Sequence, residues 1–351
     1  LLRRFMKGRG PEEVLQGGKT IKDQIMFDED STFEYYQPNA TFTWQNPQVL
    51  EEWEIQWRFC VDHMSWTDHE IELNAGGGLS SKARHAVYKR LRKVKEQRLW
   101  TSLINGVDNA LFAVPDADAM EAAGGTKPYS IPCFINEETN GLFSESGTPW
   151  TTKQGIAPAT QTKWVPKQAT YQATAAGGVS THDNTVGILA AFDNMYLSVK
   201  FSAPPTKQEY FENDNLYRQF IACSKKGITD YGGILRLQQD RFAVSPQDPA
   251  FIKPTYAGIE LEYVSDLDTA AIYRDADGNS LHVEGSSYAA ATGGATALGP
   301  RYYWINANYL KPVFHTKRYM HRHDVMTHPN QPFTHVQPVD CWMNLVCQSM
   351  Q

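Results

Sequence analysis

One long helix constrains the fold of this chain more than any other feature of its sequence. After the flexible joint Gly76–Gly78, Lys82–Leu111 carries apolar residues at helical spacing. The apolar stripe before Arg98 consists of Ala83, Val87, Leu91 and Val94, and the stripe after it consists of Trp100, Ile104, Val107 and Leu111. Because the two stripes lie on different sides, the pattern predicts either a kink near Arg98 or one straight helix that packs against different surfaces at its two ends.

An extended segment precedes this helix. Apolar and polar residues alternate with period two on both sides of Pro47, which is strong evidence for strands. We interpret Gly17–Val61 as a long β-hairpin or a related extended loop. A long isolated hairpin is only marginally stable in water, so this segment is expected to lie on its own body or on a neighbouring copy.

Later segments mix predicted helices with predicted strands. Asn215–Lys226 has the pattern of a helix that ends at Gly227, and Thr206–Glu209 has the pattern of a capping box. Gly258–Val264 alternates as a strand, whereas the low-complexity segment Ser286–Gly299 is expected to be a mobile loop. Since no regular βαβ spacing is present, the predicted fold class is α+β.

Composition narrows the classes of function. The chain has 351 residues, enough for two or three folding units, and its net charge of −6 argues against a protein devoted to binding nucleic acid. Five widely spaced cysteines argue against a disulfide framework and favour a reducing compartment. No apolar run is long enough to span a bilayer and no signal peptide opens the sequence, so no membrane partner is expected.

A histidine cluster is the strongest candidate for chemistry. His321 and His323 would lie on one face of a strand, at a spacing that can bind Zn²⁺ or Fe²⁺. No recognised metal signature accompanies them, and no nucleophile elbow, phosphate loop or dinucleotide motif occurs. We therefore predict no catalytic residues, no metal site and no cofactor, and keep a metal-binding enzyme that uses the His315–His335 cluster as the alternative.

Basic residues are concentrated on the predicted long helix, against the single acid Glu96. This density suits phosphates or the acidic segments of a neighbouring copy, and a plain solvated face is the simpler alternative. We favour a face directed at a neighbour or at DNA, because the rest of the chain is acidic. The residues concerned are Lys82, Arg84, Lys89, Arg90, Arg92, Lys93, Lys95 and Arg98.

Several phrases of the sequence are distinctive, namely Gly17–Asp23 (GGKTIKD), Trp66–Asn74 (WTDHEIELN), Pro204–Tyr210, Gln247–Asp268 and Tyr302–Met320 (beginning YYWINANYL). These phrases resemble the major capsid proteins of tailed bacteriophages, whose fold is known from phage Hong Kong 97. The resemblance covers nearly the whole chain in layout, and none of these phrases is a catalytic motif. The resemblance therefore implies kinship in structure, with no enzymatic activity.

The resemblance implies a division of the chain into five parts. These are an N-terminal arm (1–16), an extended β-loop (17–61), a peripheral domain (62–135) with a spine helix (82–111), an axial domain (136–300) and late strands that complete both domains (301–351). It further implies self-assembly as pentamers and hexamers into an icosahedral phage head around double-stranded DNA, in the cytoplasm of a bacterial host. Scaffold, portal and decoration proteins are the other implied partners.

In this family the extended loop lies across the next subunit, which implies a set of contact residues here. We accordingly expect Trp57→Asp to leave a folded subunit that cannot close shells. Some relatives join a loop lysine covalently to a neighbour, but no lysine occurs between Lys22 and Lys82, so non-covalent or accessory-protein stabilisation is expected. Another shell or tail structural protein is the second alternative. The implied contact residues are Phe42, Trp44, Trp53, Ile55, Trp57 and Phe59.

Overall fold

The computed structural model describes most of the helices and strands that these patterns predict. It describes residues 5, 15–26, 35, 50–75, 81–113, 125–136, 144–145, 148–161, 163–169, 187–198, 219–238, 254–269, 287–289, 295–297, 301–307 and 309–348. Phe42, Trp44, the capping box at Thr206–Glu209 and the arm before residue 15, apart from Phe5, lie outside these ranges.

Six helices occur in the described residues. They are α1 (Asp68–Ala75), α2 (Ser81–Leu111), α3 (Ile131–Phe134), α4 (Ile188–Ser198), α5 (Lys225–Gln238) and α6 (Asp266–Thr269). None of the described helices is long and apolar enough to cross a membrane.

The strands outnumber the helices in the same ranges. They are β1 (Leu15–Gln16), β2 (Thr20–Met26), β3 (Leu50–Gln56), β4 (Arg58–Thr67), β5 (Ser144–Glu145), β6 (Thr148–Pro149), β7 (Gln219–Cys223), β8 (Thr255–Tyr256), β9 (Ile259–Tyr263), β10 (Ser287–Ala289), β11 (Ala295–Ala297), β12 (Tyr302–Asn306), β13 (Leu310–His315), β14 (His321–Arg322), β15 (Met326–His328) and β16 (Gln331–Cys347). A mixed class of helices and strands is therefore confirmed.

The largest sheet is organised by its last strand. β16 pairs antiparallel with β4, β13, β14 and β15, and β1 adds to β13 in parallel. The buried amide of Asn344 fixes this strand: its Nδ2 donates to Gln56 O at 2.9 Å, and its Oδ1 accepts from the backbone N–H groups of Tyr129 and Leu345, both at 2.9 Å. A fully satisfied buried amide of this kind specifies one register.

A second sheet, of four strands in the order β12-β7-β9-β8, corrects one prediction. Asn215–Lys226 is not a helix, because Gln219–Cys223 is the strand β7, which pairs with β12 on one side and β9 on the other. Helix α5 begins at Lys225, where Ser224 Oγ accepts the Gly227 N–H at 3.2 Å. A short apolar run buried on both faces has no periodicity that separates a strand from a helix.

Two further predictions have mixed outcomes. The strand predicted at Gly258–Val264 is confirmed as Ile259–Tyr263, with Ile259 and Leu261 buried. The predicted loop at Ser286–Gly299 instead contains the antiparallel hairpin β10–β11.

Helix α2 is confirmed as one continuous helix of 31 residues, about 45 Å long at 1.5 Å per residue. Its buried side is the predicted one only in part, since Val107 and Leu111 are buried as predicted, whereas Ile104 and Val94 are exposed. The buried residues occur every four positions and are Leu99, Leu103, Val107 and Leu111. Leu99 and Leu103 pack with Met64 and Trp66 of β4.

The predicted hairpin exists at its base, where β2 pairs with β3 from Thr20–Gln56 to Met26–Leu50. It does not extend to Val61, because Arg58–Thr67 forms β4 in the six-stranded sheet. The change of sheet at Trp57 also changes which side chains face inward. Trp57 and Arg58 are both buried in succession, so the alternation of β4 is shifted by one residue from that of β3.

The apolar side chains of β3 and of the residue that follows it, Trp57, belong to the core of this chain. Trp53, Ile55 and Trp57 join the largest buried cluster. Trp57 Nε1 donates to Gly18 O at 3.1 Å, and its ring lies 5.1 Å from that of His315. The expectation that these three residues contact a neighbouring subunit is therefore wrong.

The expected effect of Trp57→Asp changes accordingly. Because the Trp57 side chain is only 4% exposed, the substitution removes a packed aromatic ring and buries a carboxylate without a partner, which costs about 3–5 kcal/mol or more. We expect insoluble or unfolded protein, measured by circular dichroism and urea denaturation. A folded Trp57→Asp subunit with wild-type stability would contradict this assignment of Trp57 to the core.

The interior of the protein also contains a lysine, Lys153. Its side chain is fully buried, and Nζ donates to Phe134 O at 3.1 Å. Burial lowers the pKa of Lys153 from its ordinary value of 10.5 to about 7. Between these two values the unfolded chain binds more protons at this site than the folded chain, so the free energy of unfolding rises with pH across that window.

Lys153→Met should remove this dependence on pH. We expect the variant to gain most in free energy of unfolding, relative to wild type, at pH 7 and below, with the gain shrinking as the pH approaches 10. Urea denaturation at a series of pH values measures the difference. Lys167→Met, at an exposed position, is the matched control and should follow wild type. Parallel curves for wild type and Lys153→Met would disprove the buried, neutral amine.

Candidate subunit interface

Strand β4 has one covered face and one open face. Met64 and Trp66 point to α2, whereas Phe59 and Val61 are 64% and 69% exposed. The one-residue shift at Trp57 is what turns Phe59 outward. Exposed side chains of this size on adjacent alternate positions of a strand mark a surface suited to contact with another protein.

The rest of this surface comes from the neighbouring strands and their loop. The Phe59 ring meets Trp342 of β16 edge to face at 4.8 Å, and the guanidinium of Arg318 lies 5.5 Å from the Trp342 ring centre. Arg318 Nη1 also pairs with Asp340 Oδ2 at 3.3 Å. An apolar centre beside charged groups is the usual composition of a protein interface. We call Phe59, Val61, Arg318, Asp340 and Trp342 the sheet face.

The basic residues of α2 divide into two groups. Arg92 Nη2 donates to Gln337 Oε1 at 3.5 Å, and Lys95 Nζ pairs with Glu70 Oε2 at 2.5 Å, so both serve contacts within the chain. The side chain of Arg84 lies outside the described part. The remaining five, Lys82, Lys89, Arg90, Lys93 and Arg98, are exposed.

Three of the exposed lysines form a line along α2. Lys82, Lys89 and Lys93 are spaced by seven and four residues, which places them on one side of the helix. We call these three residues the basic stripe. Glu96, the one acid among the basic residues, is engaged with Arg322 at 2.7 Å.

The histidines of the cluster His315–His335 are held by several different partners. His315 lies beside Trp57 and Trp342, His335 Nε2 is 3.1 Å from Asp68 Oδ1, and His323 Nε2 is 3.1 Å from Asp340 Oδ1. In the described ranges, no group of three or more His, Cys, Asp or Glu residues is placed to hold a metal ion. The His321 and His323 rings do lie together, with their centres 4.9 Å apart, whereas the other histidines named here serve separate contacts.

The five cysteines are free thiols. Cys60 and Cys341 face each other directly across β4 and β16, and Cys60 Sγ donates to Cys341 O at 3.2 Å. A hydrogen bond between the two side chains, together with burial, raises the pKa of the Cys341 thiol. The same side-chain hydrogen bond lowers the pKa of the Cys60 thiol.

Comparison with known proteins finds similarity in structure only. The sequence matches no protein-family model. It matches no curated protein. A chain in the cyanophage A-1(L) capsid asymmetric unit is 12% identical, with a TM-score of 0.52 over 96% of this chain and 90% of that chain. A chain in the capsid of the native GTA particle is 8% identical, with a TM-score of 0.46 over 97% and 86%. From the first of these we conclude that this chain has the fold of a chain in a phage capsid.

Proposed function

We propose that this chain is a major capsid protein, a structural subunit without enzymatic activity. The observation that carries the proposal is the fold it shares, over 96% of its length, with a chain of the cyanophage A-1(L) capsid. Pentamers and hexamers of the subunit would form an icosahedral head around double-stranded DNA, assembled in the host cytoplasm.

The proposed layout follows the Hong Kong 97 type. Helix α2 has the length and position expected of the spine helix, and the paired strands β2 and β3 suit the base of the extended loop. The late strands support their proposed role, because β12 joins the four-stranded sheet and β13–β16 join the six-stranded sheet. The axial domain at 136–300 and the arm at 1–16 remain proposals from the resemblance.

The sheet face is the contact surface that we favour within this layout. Of the six loop residues predicted to contact a neighbour, Phe59 is the one that is both described and exposed. Burial of its ring and of Val61 by a neighbour would remove a few hundred Å² of apolar area from water, at about 25 cal/mol per Å². Repetition over a closed shell multiplies this contribution.

Phe59→Asp tests this surface. We expect the variant to remain a folded subunit, because position 59 is exposed, and to lose assembly, because a carboxylate would be desolvated in the contact. Electron microscopy and sedimentation velocity compare it with wild type, which should give uniform icosahedral particles or capsomer-sized rings. Ser65→Asp, at an exposed position of the same strand, is the control for added charge. Normal particles from Phe59→Asp would exclude the sheet face from the contact.

The basic stripe is the surface that we propose to face packaged DNA. Lys82, Lys89 and Lys93 are exposed, and three lysines in line suit successive phosphates of a duplex. The chain as a whole is acidic, so we propose that DNA is attracted to this local positive charge and not to the protein surface in general.

A double charge reversal, Lys89→Glu with Lys93→Glu, should weaken DNA binding and leave particle formation intact. The slope of log K against log salt should fall in magnitude by about 2, since two phosphate contacts are lost. Fluorescence anisotropy with a short duplex measures it. Lys167→Glu with Lys317→Glu, at two other exposed positions, makes the same change in net charge. Unchanged DNA binding with lost particles would assign the stripe to a subunit contact instead.

A further inference from the structure

Two thiols face each other near one end of the ladder between β4 and β16. Cys60 and Cys341 are directly opposite in this antiparallel pair, and a hydrogen bond joins their side chains. Directly opposite residues of antiparallel strands have Cα atoms about 4.5–5.5 Å apart and side chains on the same face. Because a disulfide bond spans about 4.4–6.8 Å between Cα atoms, the fold already holds this pair within bonding range.

The strand registers single out this pair among the five cysteines. Cys223 and Cys347 also lie in strands, but tyrosine and leucine residues stand opposite them. Cys133 belongs to the short helix α3. Cys60 and Cys341 are therefore the two cysteines that a ladder places opposite each other.

A groove gives a small reagent access to this pair from the side of Cys60. It has a volume of about 300 Å³ and runs between β4 and the second half of α2, where Cys60 lines it together with Leu103 and Gly106. Cys60 is only partly buried, whereas Cys341 is 0% exposed. A compact molecule that enters the groove therefore meets Cys60 first.

We propose that Cys60 and Cys341 form a disulfide bond when the folded chain meets a low-molecular-weight disulfide, and that this bond locks β4 to β16. The proposal concerns the single subunit, so it does not depend on whether the subunits assemble. It agrees with the predicted lack of a disulfide framework, because both thiols stay reduced in a reducing compartment and the bond closes only outside it.

The bond forms in two exchange steps. The Cys60 thiolate attacks one sulfur of the small disulfide, which forms a mixed disulfide and expels a thiolate that takes up the proton lost by Cys60. The Cys341 thiolate then attacks the Cys60 sulfur and expels the second small thiolate, which takes up the proton lost by Cys341. The two cysteines thus lose two electrons and two protons, and the small disulfide gains them as two thiols.

The hydrogen bond between the two side chains favours this order of attack. It lowers the pKa of the Cys60 thiol and, together with burial, raises the pKa of the Cys341 thiol. Because the thiolate is the attacking species, Cys60 reacts first. Cys341 is then placed to resolve the mixed disulfide, since the strand register keeps it opposite Cys60.

The position of the bond determines what it stabilises. The two cysteines are 281 residues apart in the sequence, and a cross-link that closes so long a loop restricts the unfolded chain strongly. Since β16 also carries β13, β14 and β15, the bond secures the strand that organises the six-stranded sheet. In a capsid, a consequence that rests on the proposed function, it would strengthen the subunit after release from the host cytoplasm.

Treatment of the folded protein with hydroxyethyl disulfide tests the proposal. We expect a peptide that links Cys60 to Cys341 in a non-reducing digest, a mass lower by two hydrogen atoms, and a melting temperature raised by roughly 5 °C. Dithiothreitol should reverse all three changes. Cys60→Ser should show none of them, whereas Cys223→Ala, which removes a buried thiol of β7, should respond as wild type does.

The digest of the wild-type protein decides the outcome even if a variant does not fold. A folded protein that lacks the Cys60–Cys341 link, whether it stops at a mixed disulfide on Cys60 or joins another cysteine, would overturn the proposal and leave the proposed function standing. A link that forms only in urea would also overturn it, because the folded strands would then not hold the sulfurs in range. A linked subunit that never assembles would support this proposal and overturn the proposed function.

Discussion

The pairing of β16 with β4 is the constraint on which the rest of this structure depends. The two strands are joined through ten residue pairs, from Thr334–Thr67 to Met343–Arg58, and β16 also carries β13, β14 and β15. Asn344 then connects the end of this ladder to the base of the hairpin through Gln56 O. Without β16, α2 would lose the sheet that it covers, and the sheet face would lose two of its five residues, Asp340 and Trp342.

The break between β3 and β4 decides which residues are available to a partner. Alternation alone predicts one continuous hairpin in which Trp53, Trp57 and Phe59 share a face. The chain changes sheets at Trp57, and this shifts the phase of the alternation by one residue. Trp57 and Arg58 are then both buried, and Phe59 is exposed. A shift of one residue exchanges the two faces of a strand, so the exposure of Phe59 in the sheet face follows from one local event.

Local patterns predicted the elements that are stabilised locally, and the rest depended on distant partners. Helix α2 was predicted to within one residue because its propensity and spacing are local properties. The strand β7 was missed because only pairing with β9 and β12 makes Gln219–Cys223 extended. Likewise, the sequence placed Arg92 and Lys95 among the basic residues of the helix, but contacts with β16, β4 and α1 determine that both turn inward.

The order of β4 and β16 along the chain has a consequence for synthesis. Roughly 270 residues separate the two strands, which a ribosome adds in about 10–50 s. Throughout that interval β4 exists without the strand that pairs with it, so the sheet face is incomplete. A chain released before β16 is made would lack the partner of all ten paired residues of β4, and with it Asp340 and Trp342 of the sheet face.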